Sequence, residues 1–507
     1  VATTVAGVGL RSERGPVLAS IMLSTGLVAL DSTIIATAVP SIVRDLGGFS
    51  QFPWLFSIYL LTQAVTVPLY GRLADSLGRK PLLYFGIAVF LAGSVLCGAA
   101  WSMPVLIIAR AVQGIGAGAI QPISLTVVGD LYTVEERARV QGYVASVWGI
   151  SAVIGPAVGG LFSEFLSWRL IFFVNLPLGA VAALMLARHF TERVRTVRRS
   201  RRLDYAGAAT LTAGFSLIIL GLLEGGVAWP WLSTPTLVIL PLGVAMLVAF
   251  VFVERRAAEP VLPLWVFGRR VLTGGNLIAV VVGALTIGLN SYLPTYVEGV
   301  LGTTAVVAGS ALAAQTIGWP LAATVAGRIY LRIGFRDTAL IGWVFVIAGS
   351  ALAAILLGEN TPVLVAAAAA FVIGVGLGLS ASPTLVAAQS VVGWEQRGVV
   401  TGANMFSRSL GSAFGAALFG AIANGTLATR FANPPAGIAA QLPQNEDATS
   451  LVMGGRASAG EPAVTGYIRD SLQAASHHVF MAMAVLALLG VGALLIMPRR
   501  TEPIAAR

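Results

Sequence analysis

Two ionisable side chains fall inside long apolar runs. Asp31 lies in the run 16–40 and Arg110 in the run 104–129. At about 1.5 Å of helical rise per residue, Asp31 stands about 13 Å from Pro40 and Arg110 about 9 Å from Pro104. A lone carboxylate at such depth is costly unless it is protonated, hydrated or paired. Burial favours its neutral form and a nearby cation its charged form, so a carboxyl balanced between the two takes up and releases protons. The chemistry expected is proton exchange at Asp31, with contact to cationic substrate, tuned by Arg110. The plainer alternative is an Asp–Arg pair that only fixes helix packing. Arg408 is a third such residue, about 16 Å from Arg397. It must face the interior or water, paired with a carboxylate, on an anionic headgroup or against backbone carbonyls. Glu224 and Glu298 fall near span ends within reach of water, and rank lower as coupling or substrate charges.

Two further groups of residues carry a spacing signal. Gly71, Asp75, Gly78, Arg79 and Lys80 crowd one tight turn between apolar runs, and Asp130, Glu135, Glu136, Arg137 and Arg139 fall on the same side. Gly149, Gly155, Pro156, Gly159 and Gly160 sit in a single run, where small residues admit a neighbouring helix and a proline bends the chain. Gln113, Asn290, Gln315 and Asn404 are candidates to line a cavity. Tyr59, Trp148, Phe172, Tyr292, Trp319 and Phe406 would form its apolar and cation–π walls. His189, His477 and His478 mark span ends and do not read as metal ligands, and Cys97 has no partner for a disulfide. No phosphate loop of the GxxxxGK[ST] type, HExxH or Cys/His metal cluster occurs, so no metal or ATP site is expected and no enzyme is indicated.

The elements that hold these residues follow from composition. Of 507 residues, 57% are apolar and 11% charged, against about 25% charged in a typical soluble protein. Mean hydropathy is +0.86. That leaves too little polar surface for soluble domains, and the bilayer must be the main solvent. Fourteen runs are long enough to span: 16–40, 53–71, 82–100, 104–129, 140–163, 169–187, 205–224, 236–253, 271–297, 304–327, 338–357, 362–388, 399–424 and 477–497. Their continuity argues for helices over barrel strands. The first run is too long for a cleaved signal core. Most of the 32 basic residues fall in alternate connections, including the run between Arg188 and Arg202. Basic loops stay inside, which places both termini in the cytoplasm of a multi-pass protein of the inner (plasma) membrane. The net charge of +10 is then an insertion signal with some attraction to lipid headgroups, not a nucleic-acid footprint.

The chain repeats itself. Gly71-Arg72-Leu73 with Leu77-Gly78 overlays Gly327-Arg328-Ile329 with Ile333-Gly334. Gly114, Gly116 and Gly118 overlay Gly374, Gly376 and Gly378, and Gly142 and Gly155 overlay Gly402 and Gly415. A parallel six-helix repeat is the pattern of rocking-bundle transporters. Arg110 overlays Ala370 and Trp148 overlays Arg408, so the charged chemistry is unequal between halves. The predicted domains are an N-terminal bundle over 16–190, a basic cytoplasmic linker over 191–204, two inserted helices over 205–254, and a C-terminal bundle over 271–497 with an external loop at 425–476.

The loop from Gly71 to Lys80 resembles the signature loop of the major facilitator superfamily. With Leu30-Asp31-Ser32-Thr33 through Pro40, Arg110-Ala111-Val112-Gln113-Gly114, the Gly155-Pro156 pair, and Trp168-Arg169 with Asn175 and Pro177, the chain is similar to that family's fourteen-helix drug:proton antiporter branch nearly throughout. The fold so implied is all-α: two six-helix bundles plus two inserted helices. The resemblance implies that Asp75 caps a helix N-terminus near Arg397–Gly402, where the helix dipole favours an anion, and latches the cytoplasmic side shut. It also implies that the Gly155-Pro156 motif marks exporters. Ser76 stands where the pattern has a base and Ala36 where it often has Asn. The function implied is proton-coupled export of lipophilic drugs, cationic ones above all, without ATP or another cofactor, the partners being small substrates and membrane lipids. An exporter of an endogenous lipid, siderophore or other metabolite would share the fold. A non-transporting receptor or scaffold is the alternative of another class.

Overall fold

In hydrocarbon every peptide N–H and C=O must find its partner within the chain, and a helix does so segment by segment. The computed structural model describes residues 9–47, 54–192, 204–225, 229–230, 232–258, 260–432, 434–435 and 462–501, and among them there are long helices and no strand. In chain order they are α1 (Gly15–Leu46), α2 (Trp54–Leu77), α3 (Arg79–Gly98), α4 (Met103–Leu131), α5 (Val134–Phe165), α6 (Leu170–Phe173), α7 (Asn175–His189), α8 (Tyr205–Glu224), α9 (Thr234–Arg256), α10 (Arg270–Gly299), α11 (Ala305–Ile333), α12 (Phe335–Leu356), α13 (Val363–Ser390), α14 (Arg397–Ala432) and α15 (Pro462–Ile496). Thirteen candidate spans meet a length and apolarity test, α6 and α7 counting as one across the break at Val174. Among the described residues a fourteenth helix of membrane length, α2, is not one of these spans; it carries Gln63, Arg72 and Asp75 among its apolar residues. The chain is an all-helical integral membrane protein.

The segment predicted as an external loop is narrower than its sequence suggests. Residues 425–432 continue α14, and α15 begins at Pro462. These turns are too polar to read as membrane, yet Ala, Leu and Gln sustain a helix beyond it. Tyr467 Oη donates to Arg430 O at 2.5 Å and its ring packs on Phe431, which ties the two extensions together. Most of the predicted basic linker, 193–203, and of the loop, 436–461, lies outside the described residues.

Small residues decide which helices touch. A Cβ added at Gly116 would meet Gly86 O of α3 at 2.8 Å, and one at Gly376 would meet Gly342 O of α12 at 2.5 Å. Gly114 and Gly118 face α2, while Gly374 and Gly378 face α11. Gly155 packs on Thr33 of α1, and Gly415 on Ala284 of α10. The duplicated glycines thus make equivalent contacts twice. Close backbone approach is the main source of helix adhesion where lipid is as apolar as the side chains. Within the first half α1 packs on α5 and α7, and α4 on α2 and α3; within the second α13 packs on α11 and α12, and α10 on α14 and α15. The halves meet through α5 with α11 and α2 with α14, and α8 lies against α2, α14 and α9.

These inter-half contacts concentrate at the end of the molecule that carries the basic side chains. Gly142 of α5 meets Thr324 of α11 there, and Gly71 of α2 meets Gly398 of α14. Tyr330 Oη donates to Val134 O at 3.0 Å, and Gln389 Nε2 to Leu125 O at 3.3 Å. Toward the opposite end, Gly160 of α5 and Gly309 of α11 face open space. The molecule is shut at its basic end.

Candidate functional site

The Asp31 cluster is built by five helices of the first half. Asp31 of α1 accepts Arg110 Nη1 of α4 at 2.6 Å and Gln113 Nε2 at 2.7 Å, and Asn175 Nδ2 of α7 at 3.2 Å. Arg110 also donates to Gln113 Oε1 at 2.7 Å and to Leu55 O of α2 at 3.2 Å, and its guanidinium lies 4.1 Å from the ring centre of Tyr59. Ser94 of α3 accepts from both Gln113 and Asn175. Arg110 and Gln113 sit three residues apart on one face of α4, so one helix supplies both donors. Asp31, Gln113 and Asn175 are 0% exposed and Arg110 1%. In a low-dielectric site, a carboxyl with three donors beside a guanidinium bonded through Nε and Nη1 is a well-paired arrangement.

This geometry corrects several expectations. Asp31 is sealed from any cavity in this conformation, so direct contact with substrate does not occur here. Tyr59 and Gln113, read as cavity wall and lining, belong to the cluster itself. Phe172 is buried against Trp168 and the foot of α1, and Phe406 stacks edge-on against Phe215 of α8 at 4.2 Å, so neither is a free wall. Gln315 is buried under α13, while Asn404 donates to Gly275 O at 3.0 Å. Trp148, Tyr292 and Trp319 are half-buried and Asn290 is exposed. Glu224 is 6% exposed rather than open to water, and Glu298 is half-buried. Among residues the sequence did not single out, Ser94 completes the cluster; a serine in a span carries no distinguishing signal.

The second assembly closes the basic end. Asp75 Oδ1 accepts Gly398 N at 2.9 Å and Arg79 Nη2 at 2.7 Å, and Oδ2 accepts Val399 N at 2.8 Å. The start of α14 has its free peptide donors filled by a carboxylate from α2, a favourable end for an anion. Arg79 is 1% exposed; it reaches Asp130 Oδ2 at 2.9 Å and Trp394 O at 2.6 Å, and stacks 3.9 Å over the Trp394 ring. Arg397 closes the ring on Asp130 Oδ1 at 3.1 Å and Gly129 O at 2.7 Å. Glu192 accepts the backbone N–H of Arg79 and Lys80 and caps α3, a role the surrounding arginines hid in the sequence. Gly71 is required because a Cβ there would stand 2.6 Å from Gly398 O.

At the opposite end Asp45 bonds Arg169 at 2.6 Å and Trp168 Nε1 at 3.0 Å, which hold its carboxyl below the usual range. Of the α5 glycines, Gly155 and Gly159 press on α1, a Cβ added at Gly149 would lie 3.4 Å from Thr316 O of α11, and one added at Gly160 would meet nothing within 4 Å. Pro156 lies within α5. Between α5 and α11 runs an apolar groove lined by Gly149, Ile150, Val153, Ile317, Pro320 and Leu321, among others. The Arg408 guanidinium forms no hydrogen bond or ion pair among the described residues, although its backbone carbonyl accepts Ser412 Oγ. No group of three or more His, Cys, Asp or Glu among the described residues could hold a metal.

Residues 21–416 match the family model described as Major Facilitator Superfamily. Multidrug transporter protein MdtP of Bacillus subtilis (strain 168) is 36% identical over 416 residues, covering 82% of this chain and 76% of that protein. Multidrug resistance protein 3 of the same organism is 30% identical over 472 residues, covering 92% and 91%. The crystal structure of the human organic anion transporter MFSD10 (TETRAN) superposes with a TM-score of 0.63 over 95% of this chain and 99% of that one, at 15% identity, a likeness of fold.

Proposed function

We propose, from the premise that this chain belongs to the Major Facilitator Superfamily, that it exports lipophilic drugs by alternating access and draws its energy from protons moving inward. The two Bacillus relatives, named for multidrug transport and resistance, support the drug reading. The observation that carries the coupling is the Asp31–Arg110 pair, fully buried within the first half. A proton on Asp31 removes the charge that holds Arg110, whose guanidinium must then rely on Leu55 O, Gln113 and the Tyr59 face. Protonation and helix packing therefore change together, and a rocking of α1 against α4 links one to the other.

In this reading the basic end faces the cytoplasm of the inner (plasma) membrane, with both termini there, as the positive-inside rule favours. Residues 16–190 and 271–497 are the moving bundles, 205–254 a hairpin outside them, and 191–204 their cytoplasmic link. Asp75, Arg79, Asp130, Gly71 and Gly78 form the cytoplasmic gate, and Gly149, Gly155, Pro156, Gly159 and Gly160 shape the exporter helix. No cofactor beyond the coupling proton is invoked.

The test uses purified protein in liposomes under an imposed proton gradient, with a lipophilic dye and internal pH followed together. Wild type moves dye with a matching proton flux, and Asp31→Asn, folded, moves neither against a gradient. Active transport by that variant at the normal rate would sink the coupling role. The groove between α5 and α11, open sideways, favours a second reading, export of an endogenous lipid or other metabolite. That reading predicts a folded wild type that moves no dye and carries native lipid through purification, read by mass spectrometry.

A further inference from the structure

The charges inside the membrane do not cancel. Asp31 has three donors and is closed off, so it offers nothing to a cation. Arg408 is the opposite case. With 3.6 residues per turn, it lies on the same face of α14 as Thr401, two turns away. Thr401 bonds Gln389 of α13, which reaches Leu125 O of α4, so this face looks across the interior between the halves. Gly415, two turns the other way, meets Ala284 of α10, and Asn404 and Gly411 extend that contact further round, so Arg408 stands on the border between the α10 seam and the interior, with the α8 contact of Phe406 and Ala413 on the far side. Asn404 and Ser412, one turn to either side, are both bonded to α10 carbonyls. The Arg408 side chain is left partly exposed with no acceptor among the described residues. A guanidinium carries five donors and stays charged. Inside a membrane such a group is filled by water or by a ligand's acceptors, and it repels a cation.

We propose that Arg408 is the recognition point for an acidic group, a carboxylate or phosphate, on a lipophilic substrate, and that the interior favours anionic or zwitterionic molecules over cationic ones. This rests on the transporter reading above and replaces the cationic substrate expected from the sequence. The acidic group belongs either to a drug-like acid or to a lipid headgroup, and both offer the same paired oxygens to a guanidinium.

The test is equilibrium binding to the purified full chain in neutral detergent, with two fluorescent probes on one apolar skeleton, one bearing a carboxylate and one a quaternary ammonium. Arg408→Gln weakens the carboxylate probe about ten- to a hundredfold, the loss expected for a charge-assisted bond. Arg408→Lys restores part of it. The ammonium probe shifts the other way and binds Arg408→Gln more tightly than wild type. Phosphatidylglycerol competing with the carboxylate probe in wild type, but not with what remains in Arg408→Gln, assigns the site to a headgroup; no competition assigns it to a drug-like acid. Unchanged carboxylate binding in Arg408→Gln, or equal loss of both probes in a variant with wild-type thermal stability, overturns the proposal. Transport of the same probes in liposomes is read separately: binding without gradient-driven movement would count against export and leave the recognition point standing.

Discussion

The two halves share a plan and differ in how their basic ends are held. Gly78 and Gly334 each break a helix pair by a single residue, at φ +98° and +93°. Beyond that point they diverge. The N-terminus of α5 is capped within its own segment: Thr133 accepts Glu136 N, and Glu136 accepts Thr133 N. The N-terminus of α14 is filled from the other half, by Asp75. One of these ends is therefore self-sufficient, and the other is complete only while the halves are together. The same asymmetry runs deeper in the membrane. The first half holds a buried ion pair at Asp31 and Arg110, while the second places Ala370 opposite Arg110 in the repeat and packs it in an apolar core. A duplicated scaffold has kept its glycine contacts twice and its charge chemistry once.

Substitutions that treat the two ends alike should separate them. The largest effect is expected at Asp75→Ala, which breaks a buried pair and uncaps α14, shifting the open–shut balance at the basic end by about 3 kcal/mol. Spin labels at Ser76 and Gln396 would report a longer mean distance; an unchanged distribution would show that the carboxylate does not hold the halves. Next is Gly71→Ala, whose methyl would stand 2.6 Å from Gly398 O, costing about 1–3 kcal/mol of the shut state. At the other seam between the halves, the methyl of Gly149→Ala would meet Thr316 O only at 3.4 Å and should leave label distances between α5 and α11 as they are. If both behave alike, the tightness is not specific to the latch. Gly78→Ala and Gly334→Ala both place a side chain at positive φ, at about 1–3 kcal/mol each. Gly78→Ala should lower thermal stability more, because its methyl also meets Glu192 at 2.9 Å. Smallest is Thr133→Ala, about 1 kcal/mol of stability for a lost cap, with no change in the label distance that Asp75 controls.

Much of the site was legible because membrane burial makes charge conspicuous. Asp31 and Arg110 stood out by depth alone, and Asp75 and Arg79 by crowding on a short turn. What burial does not reveal is azimuth. A polar or aromatic residue in a span reads the same whether it faces a cavity or seals a neighbour. Gln113 and Tyr59 were therefore misplaced as lining when they complete the ion pair, and Phe406 was misplaced because its partner Phe215 belongs to an inserted helix that the repeat does not contain. Glu192 was hidden by the basic stretch beside it. The early start of α15 was hidden because a helix outside the membrane leaves no apolar run.

The borrowed cap on α14 bears on timing. In the transport cycle proposed above, bonds that are made and broken once in every turn cancel from the net work, so the Asp75, Arg79, Asp130 and Arg397 ring would add nothing to a gradient the protein sustains. What it would set in that cycle is the dwell in the shut state. Each 1.4 kcal/mol in that ring is about a tenfold change in the opening rate, so the same few hydrogen bonds decide how fast the machine runs loaded and how seldom it opens idle.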